Sequence, residues 1–110
     1  MMQNMEMFIG DTLSFGVEIG GILEQVDSAY LTVKKDLDSV DYLLQKSIGD
    51  GIWFDSIGTY GVRYGVRIAP ADTADAEAGN YYYDLQISLN GDVFTILDGV
   101  LTLKQGATTV

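Results

Sequence analysis

Gly79-Asn80-Tyr81-Tyr82-Tyr83-Asp84-Leu85-Gln86-Ile87-Ser88-Leu89, then Asn90-Gly91-Asp92, then Val93-Phe94-Thr95-Ile96-Leu97, is the stretch that decides the fold class. In its first arm Tyr81, Tyr83, Leu85, Ile87 and Leu89 share one face, and Tyr82, Asp84, Gln86 and Ser88 the other. That is the period of two of a half-buried strand. Asn90-Gly91 between two such runs predicts a hairpin, because both residues accept positive φ and the primed turn they form matches the twist of the flanking strands. Beyond Gly99, Val100 to Leu103 reads as a further short strand with Leu101 and Leu103 inward.

The same alternation recurs upstream. Leu13, Phe15, Val17 and Ile19 share a face within Thr12–Ile19, Ala29, Leu31 and Val33 within Ala29–Lys34, and Val62, Tyr64, Val66 and Ile68 within Tyr60–Ile68. Ile52-Trp53-Phe54 reads as a short strand or an apolar plug. Between Asp36 and Lys46 the pattern changes: Val40, Leu43 and Leu44 stand at i, i+3 and i+4, and Asp38 or Ser39 is a suitable cap, so a short helical segment is expected near 38–47. Ala69 to Gly79 is a polar, alanine-rich crossing with room for one helical turn, which Gly79 would stop.

About seven short strands with glycine-bearing turns predict an all-β domain of two antiparallel sheets packed face to face, with a small closed barrel as the alternative. A single domain over 1–110 is expected, with a flexible tail at 105–110. The inward sets should meet in a shared interior holding Leu13, Leu31, Val66 and Leu85.

Composition narrows the chemistry. The chain has neither cysteine nor histidine. Disulfides, thiolate metal sites, the usual general base near neutral pH and any Ser-His or Cys-His pair are therefore unavailable. Sixteen acidic and six basic residues give a formal charge of −10, whose field repels phosphate backbones and anionic lipid surfaces. The cations are Lys34, Lys35, Lys46, Arg63, Arg67 and Lys104, and only Lys34-Lys35 are adjacent, too few for a phosphate track. No apolar run approaches the ~20 residues that span a bilayer, and Met1-Met2-Gln3-Asn4-Met5-Glu6 lacks the features of a signal peptide. Nucleic acid and membrane are not expected partners, and synthesis and folding in a cytoplasm are expected.

Several residues invite a sharper reading. Asp36, Asp38 and Asp41, with Asp50 nearby, are oxygen donors of the kind calcium takes, but their spacing departs from an EF-hand loop. Solvated loop carboxylates and helix caps account for them better, and for Asp72, Asp75 and Glu77 as well, so no metal or cofactor is expected. A glycosidase pair needs two carboxylates facing across a cleft, and sixteen acidic residues make a chance pair easy; no catalytic residue is assigned. Tyr30 and Tyr82 point away from the inward sets and either anchor a partner or form a cross-strand pair on an exposed sheet. Trp53 and Phe54 form either a docking wedge or a cap over one end of the core, the latter being commoner for large apolar side chains. Gly16 and Gly65, inside strands, mark a bulge or a close backbone approach.

Taken in order, Gly10-Asp11-Thr12-Leu13-Ser14-Phe15, Leu31-Thr32-Val33-Lys34-Lys35-Asp36, Leu44 to Ile52, Pro70 to Thr73, Ala78 to Gln86 and Gly91 to Leu101 resemble the immunoglobulin-like β-sandwich modules encoded by tailed bacteriophages and prophages. These include the N-terminal module of baseplate upper proteins. The shared order is a short acidic crossing, a Gly-x-Tyr step, a Tyr-Asp strand and a Thr-x-x-x-Gly strand. The resemblance implies a seven-stranded immunoglobulin-like sandwich and a non-enzymatic virion part: a baseplate or tail adaptor, or a capsid decoration protein. It implies contacts with other virion proteins and with copies of the chain itself. A carbohydrate-binding β-sandwich is the alternative. The Gly79-Asn80-Tyr81 step also has a physical reading, since a tyrosine at a sandwich corner can bury its ring and hydrogen-bond the crossing backbone. The antibody cysteines are missing, and Trp53 does not match the tryptophan of their third strand.

Overall fold

A computed structural model of the chain describes residues 2–108. Among these residues eight strands run β1 (Met5–Phe8), β2 (Leu13–Gly20), β3 (Ser28–Lys34), β4 (Leu44–Ile48), β5 (Gly51–Ile57), β6 (Gly61–Ile68), β7 (Gly79–Leu89) and β8 (Asp92–Lys104), with one short helix, α1 (Pro70–Thr73), between β6 and β7. They form one hydrogen-bonded ribbon in the order β1-β8-β7-β3-β4-β5-β6-β2.

The ribbon turns back on itself where β4 passes to β5. These two strands pair in parallel at only two positions, Ser47 with Gly51 and Ile48 with Ile52. So tight a corner needs Gly49 and Gly51 at φ of 87° and 93°, a region that favours glycine. On one side lies β5-β6-β2 and on the other β8-β7-β3. These are the two strand sets of an immunoglobulin-like sandwich when β2 is taken as its second strand and β8 as its last. Leu31, Val33, Val62, Val66, Leu85, Ile87 and Leu101 from both sides share one continuous core, and Leu13 packs against its margin. The four residues expected to converge therefore do so.

The hairpin forms as its sequence requires. Asn90 and Gly91 take φ of 53° and 85°, and Leu89 pairs with Asp92. Its second arm does not stop at Gly99 but runs on to Lys104 as one strand, interrupted by a bulge where Leu85 faces Leu97 and Gln86 faces Thr95. A Cβ on Gly99 would lie 2.3 Å from the Gln3 carbonyl oxygen, so the absence of a side chain there lets the N-terminal segment lie against β8.

Two expectations are corrected in detail. The 38–47 region is not helical: it holds bends and the strand β4. Val40 is 92% exposed and Leu44 is buried, so the i, i+3, i+4 set never formed one buried face. Instead Leu44 pairs with Val33, the Leu43 N–H donates to the Val33 carbonyl, and the Ser39 hydroxyl accepts from the Asp41 N–H in a local turn. Met5–Phe8, to which the sequence reading assigned no strand, is a strand parallel to β8, which with β4/β5 makes two parallel ladders in an otherwise antiparallel ribbon and raises the count to eight. Of the 105–110 tail, 105–108 is irregular chain, and 109–110 lies outside the described residues.

Candidate interaction surface

The crossing from β6 to β7 is held from three directions. Asp72 in α1 accepts from the Ala69 N–H at 2.7 Å and from the Lys46 ammonium at 2.8 Å. Lys46 points inward from β4 and is nearly buried. Thr73, fully buried, accepts from the Gly10 N–H at 2.9 Å. Tyr81 is buried at the start of β7, and its hydroxyl donates to the Glu77 carbonyl at 2.8 Å. The Lys35 ammonium stands 4.7 Å over the Tyr81 ring, a cation–π contact. Gly79 precedes this corner at φ 146°. Lys34 donates to the Ser39 carbonyl at 2.8 Å, so the adjacent lysines serve two separate local contacts and form no basic patch.

Tyr30, Tyr82, Trp53 and Phe54 do not gather into one site. Tyr30 and Tyr82 both project from the outer face of the β8-β7-β3-β4 layer, 44% and 42% exposed. They are not cross-strand neighbours, because Tyr30 pairs with Gln86 and Tyr82 with Lys34. Trp53 projects from the opposite layer. A Cβ on Gly65 would fall 2.2 Å from its ring carbons, so the indole lies over the Gly65 backbone, and Gly65 in turn pairs with Gly16 of β2. This is the close approach marked by glycine in mid-strand. Phe54 sits at the rim of the core and meets Tyr64 edge-on with ring centroids 6.0 Å apart. Trp53 at 47% exposure and Phe54 at 37% leave apolar surface in water on that layer.

Around Tyr82 the surface dips into a shallow depression of about 280 Å³ lined by Met2, Leu37, Tyr82, Asp84, Asp98 and Val100. Alternation along β7 placed Tyr82 and Asp84 outward, but no sequence signal put Leu37 beside them, because the β3–β4 connection was read as helix. Asp84 and Asp98 are directly opposite on β7 and β8. Burial, reinforced by the Asp98 charge and opposed by Lys34, raises the Asp84 carboxyl above its ordinary range. Burial and Asp98 also raise the Tyr83 phenol, which therefore stays protonated and donates to the Gln3 carbonyl.

On the β5-β6-β2 face the charges are better matched. Arg63 donates to the Glu18 carboxylate through Nε at 3.2 Å and through an Nη at 3.1 Å. Arg67, opposite Ser14, makes no ion pair among the described residues. The described residues contain no group of three or more acidic, histidine or cysteine side chains placed to hold a metal, and no helix among them is long and apolar enough to cross a membrane. No family model matches the chain, and no curated protein matches it.

Proposed function

We propose that this chain is a non-enzymatic structural module of a virion, a baseplate or tail adaptor or a capsid decoration protein, that works by docking its sheet faces onto neighbouring proteins. The observation that carries the reading is the exposure of Tyr30, Tyr82 and Trp53 on outer faces of both layers. Aromatic side chains supply much of the energy of protein contacts, and here they stand on a rigid sandwich. The resemblance in segment order to phage-encoded immunoglobulin-like modules supports the same reading. Such a part would be made in the bacterial host cytoplasm and carried in the particle.

The test is co-purification of the tagged chain with proteins encoded by the neighbouring genes. Retention of a tail, baseplate or capsid protein, weakened by Tyr82→Ala or Trp53→Ala, is the expected outcome. Neighbouring genes without virion components, and no retained partner, would sink the proposal.

A carbohydrate-binding sandwich is the second reading, favoured by one feature: the Trp53 indole rests one face on Gly65 and offers the other to solvent, a platform on which a sugar ring can stack. Saturable, specific glycan-array binding that Trp53→Ala abolishes would establish it in place of the docking role.

A further inference from the structure

The ribbon ends in two edge strands, and β2 is the unprotected one. It pairs with β6 in unbroken register from Leu13 with Ile68 to Gly20 with Gly61, and no strand among the described residues pairs its other side. Natural edges are usually blunted by charged side chains, lysine above all, by proline, by a bulge or by an inward charge; Leu13-Ser14-Phe15-Gly16-Val17-Glu18-Ile19-Gly20 has no lysine, proline, bulge or inward charge, and its one outward charge, Glu18, is already paired with Arg63. The direction of its free groups follows from the ladder. The Gly21 N–H donates to the Tyr60 carbonyl, which continues the register, so Leu13, Phe15, Val17 and Ile19 bond to β6. In an antiparallel pair the bonded positions alternate. Ser14, Gly16, Glu18 and Gly20 therefore aim their N–H and C=O groups away from the sheet. Beside this edge lies a groove of about 270 Å³ whose walls include Met5, Phe15, Val17, Ile96 and Leu97, and Leu13 and Phe15 are only half-buried while Val17 and Ile19 are buried.

We infer that the occupant of this edge is the β2 strand of a second copy, paired antiparallel about a two-fold axis at Gly16. In that register Gly16 faces its own copy, Ser14 faces the other chain's Glu18, Phe15 faces Val17 and Leu13 faces Ile19, so polar side chains stay outward and apolar ones continue the core. The charges select the partner. Because Ser14 stands opposite Arg67, the outward row across the junction runs Arg63, Glu18, then Ser14 and Arg67 of the other copy. Each carboxylate then lies between its own Arg63 and the second copy's Arg67, which has no ion pair among the described residues of its own chain, twice by symmetry. This places matched charge at the junction of two chains that each carry −10 overall. The inference rests on the reading that the chain acts through protein contacts, and it names one of the partners.

The chain has no cysteine, so Gly16→Cys creates only one possible bridge, between equivalent positions of two copies. A Cβ at Gly16 meets nothing closer than the Tyr64 carbonyl oxygen at 4.0 Å, so the variant has room to fold. Light scattering of the native chain should rise with concentration toward twice the 12.0 kDa monomer mass. Mild oxidation should convert Gly16→Cys, but not Ser47→Cys on the other layer, to a covalent dimer, and Glu18→Arg should weaken association about tenfold or more. A monomeric mass up to millimolar concentration overturns the inference, as does a dimer that Gly16→Cys fails to trap. Co-purification with virion proteins is scored separately with Glu18→Arg, so loss of this edge and loss of the docking role give different results.

Discussion

Removing the Tyr81 hydroxyl takes one oxygen from the molecule and leaves the ring packing intact. Its bond to the Glu77 carbonyl spans the turn into β7, and a net hydrogen bond of this kind contributes about 1 kcal/mol. Tyr81→Phe should lower the unfolding free energy by roughly that amount in urea titration, with an unchanged denaturant slope. Asp84 is the opposite case. Its carboxyl is raised by burial and by Asp98, so the folded state disfavours its ionisation. A group raised in this way favours folding below its unfolded pKa, and that contribution is lost as pH rises through the folded one. Asp84→Asn should therefore stabilise the protein near neutral pH, by about 0.5 kcal/mol on the scale of facing like charges. The gain should vanish as the pH falls below the ordinary carboxylate range, which urea midpoints measured across pH would show.

At the scale of elements, what the sequence made legible is what a local period can encode. Alternation placed β2, β3, β6 and β7, and Asn90-Gly91 placed the turn, because each signal is complete within a few residues. β1 was not legible, since Met5–Phe8 owes its strand to β8 almost a hundred positions away and its own Met5-Glu6-Met7 alternation is too short to mark a strand. The 38–47 segment was misread for a related reason: three apolar residues fit a helical spacing by chance, while the β3 ladder that claims Leu44 is visible only in the folded chain. The outward aromatics were identifiable one by one, but their distribution over two layers depends on the β4–β5 corner. Gly99 ties β1 to the ribbon. Gly99→Ala would force a Cβ into the Gln3 backbone and should cost about 2 kcal/mol. Hydrogen exchange should locate the damage, with protection lost over residues 2–8 and kept in β3 and β7.

As a whole, the molecule is an apolar interior wrapped in negative charge. With no histidine, the side chain whose ordinary range lies nearest neutrality is missing, and stability should stay nearly flat from pH 6 to 8. Ionic strength matters more, because sixteen acidic groups against six basic ones repel one another most in the compact state. Raising salt from low millimolar to physiological shortens the Debye length to about 8 Å. Thermal unfolding should move up by roughly 5 °C, equivalent to about 1 kcal/mol for a domain near this size.

The pairing of β1 with β8 has a mechanical consequence. The two strands are parallel neighbours, from Met5 beside Leu101 to Phe8 beside Lys104, so handles attached ahead of β1 and beyond β8 pull them lengthwise in opposite directions. Their cross-links are then loaded together in shear, whereas a terminal hairpin would yield one rung at a time. Stretched in a force trap, the domain should resist until that short clasp ruptures as a unit, a property suited to a part that transmits tension.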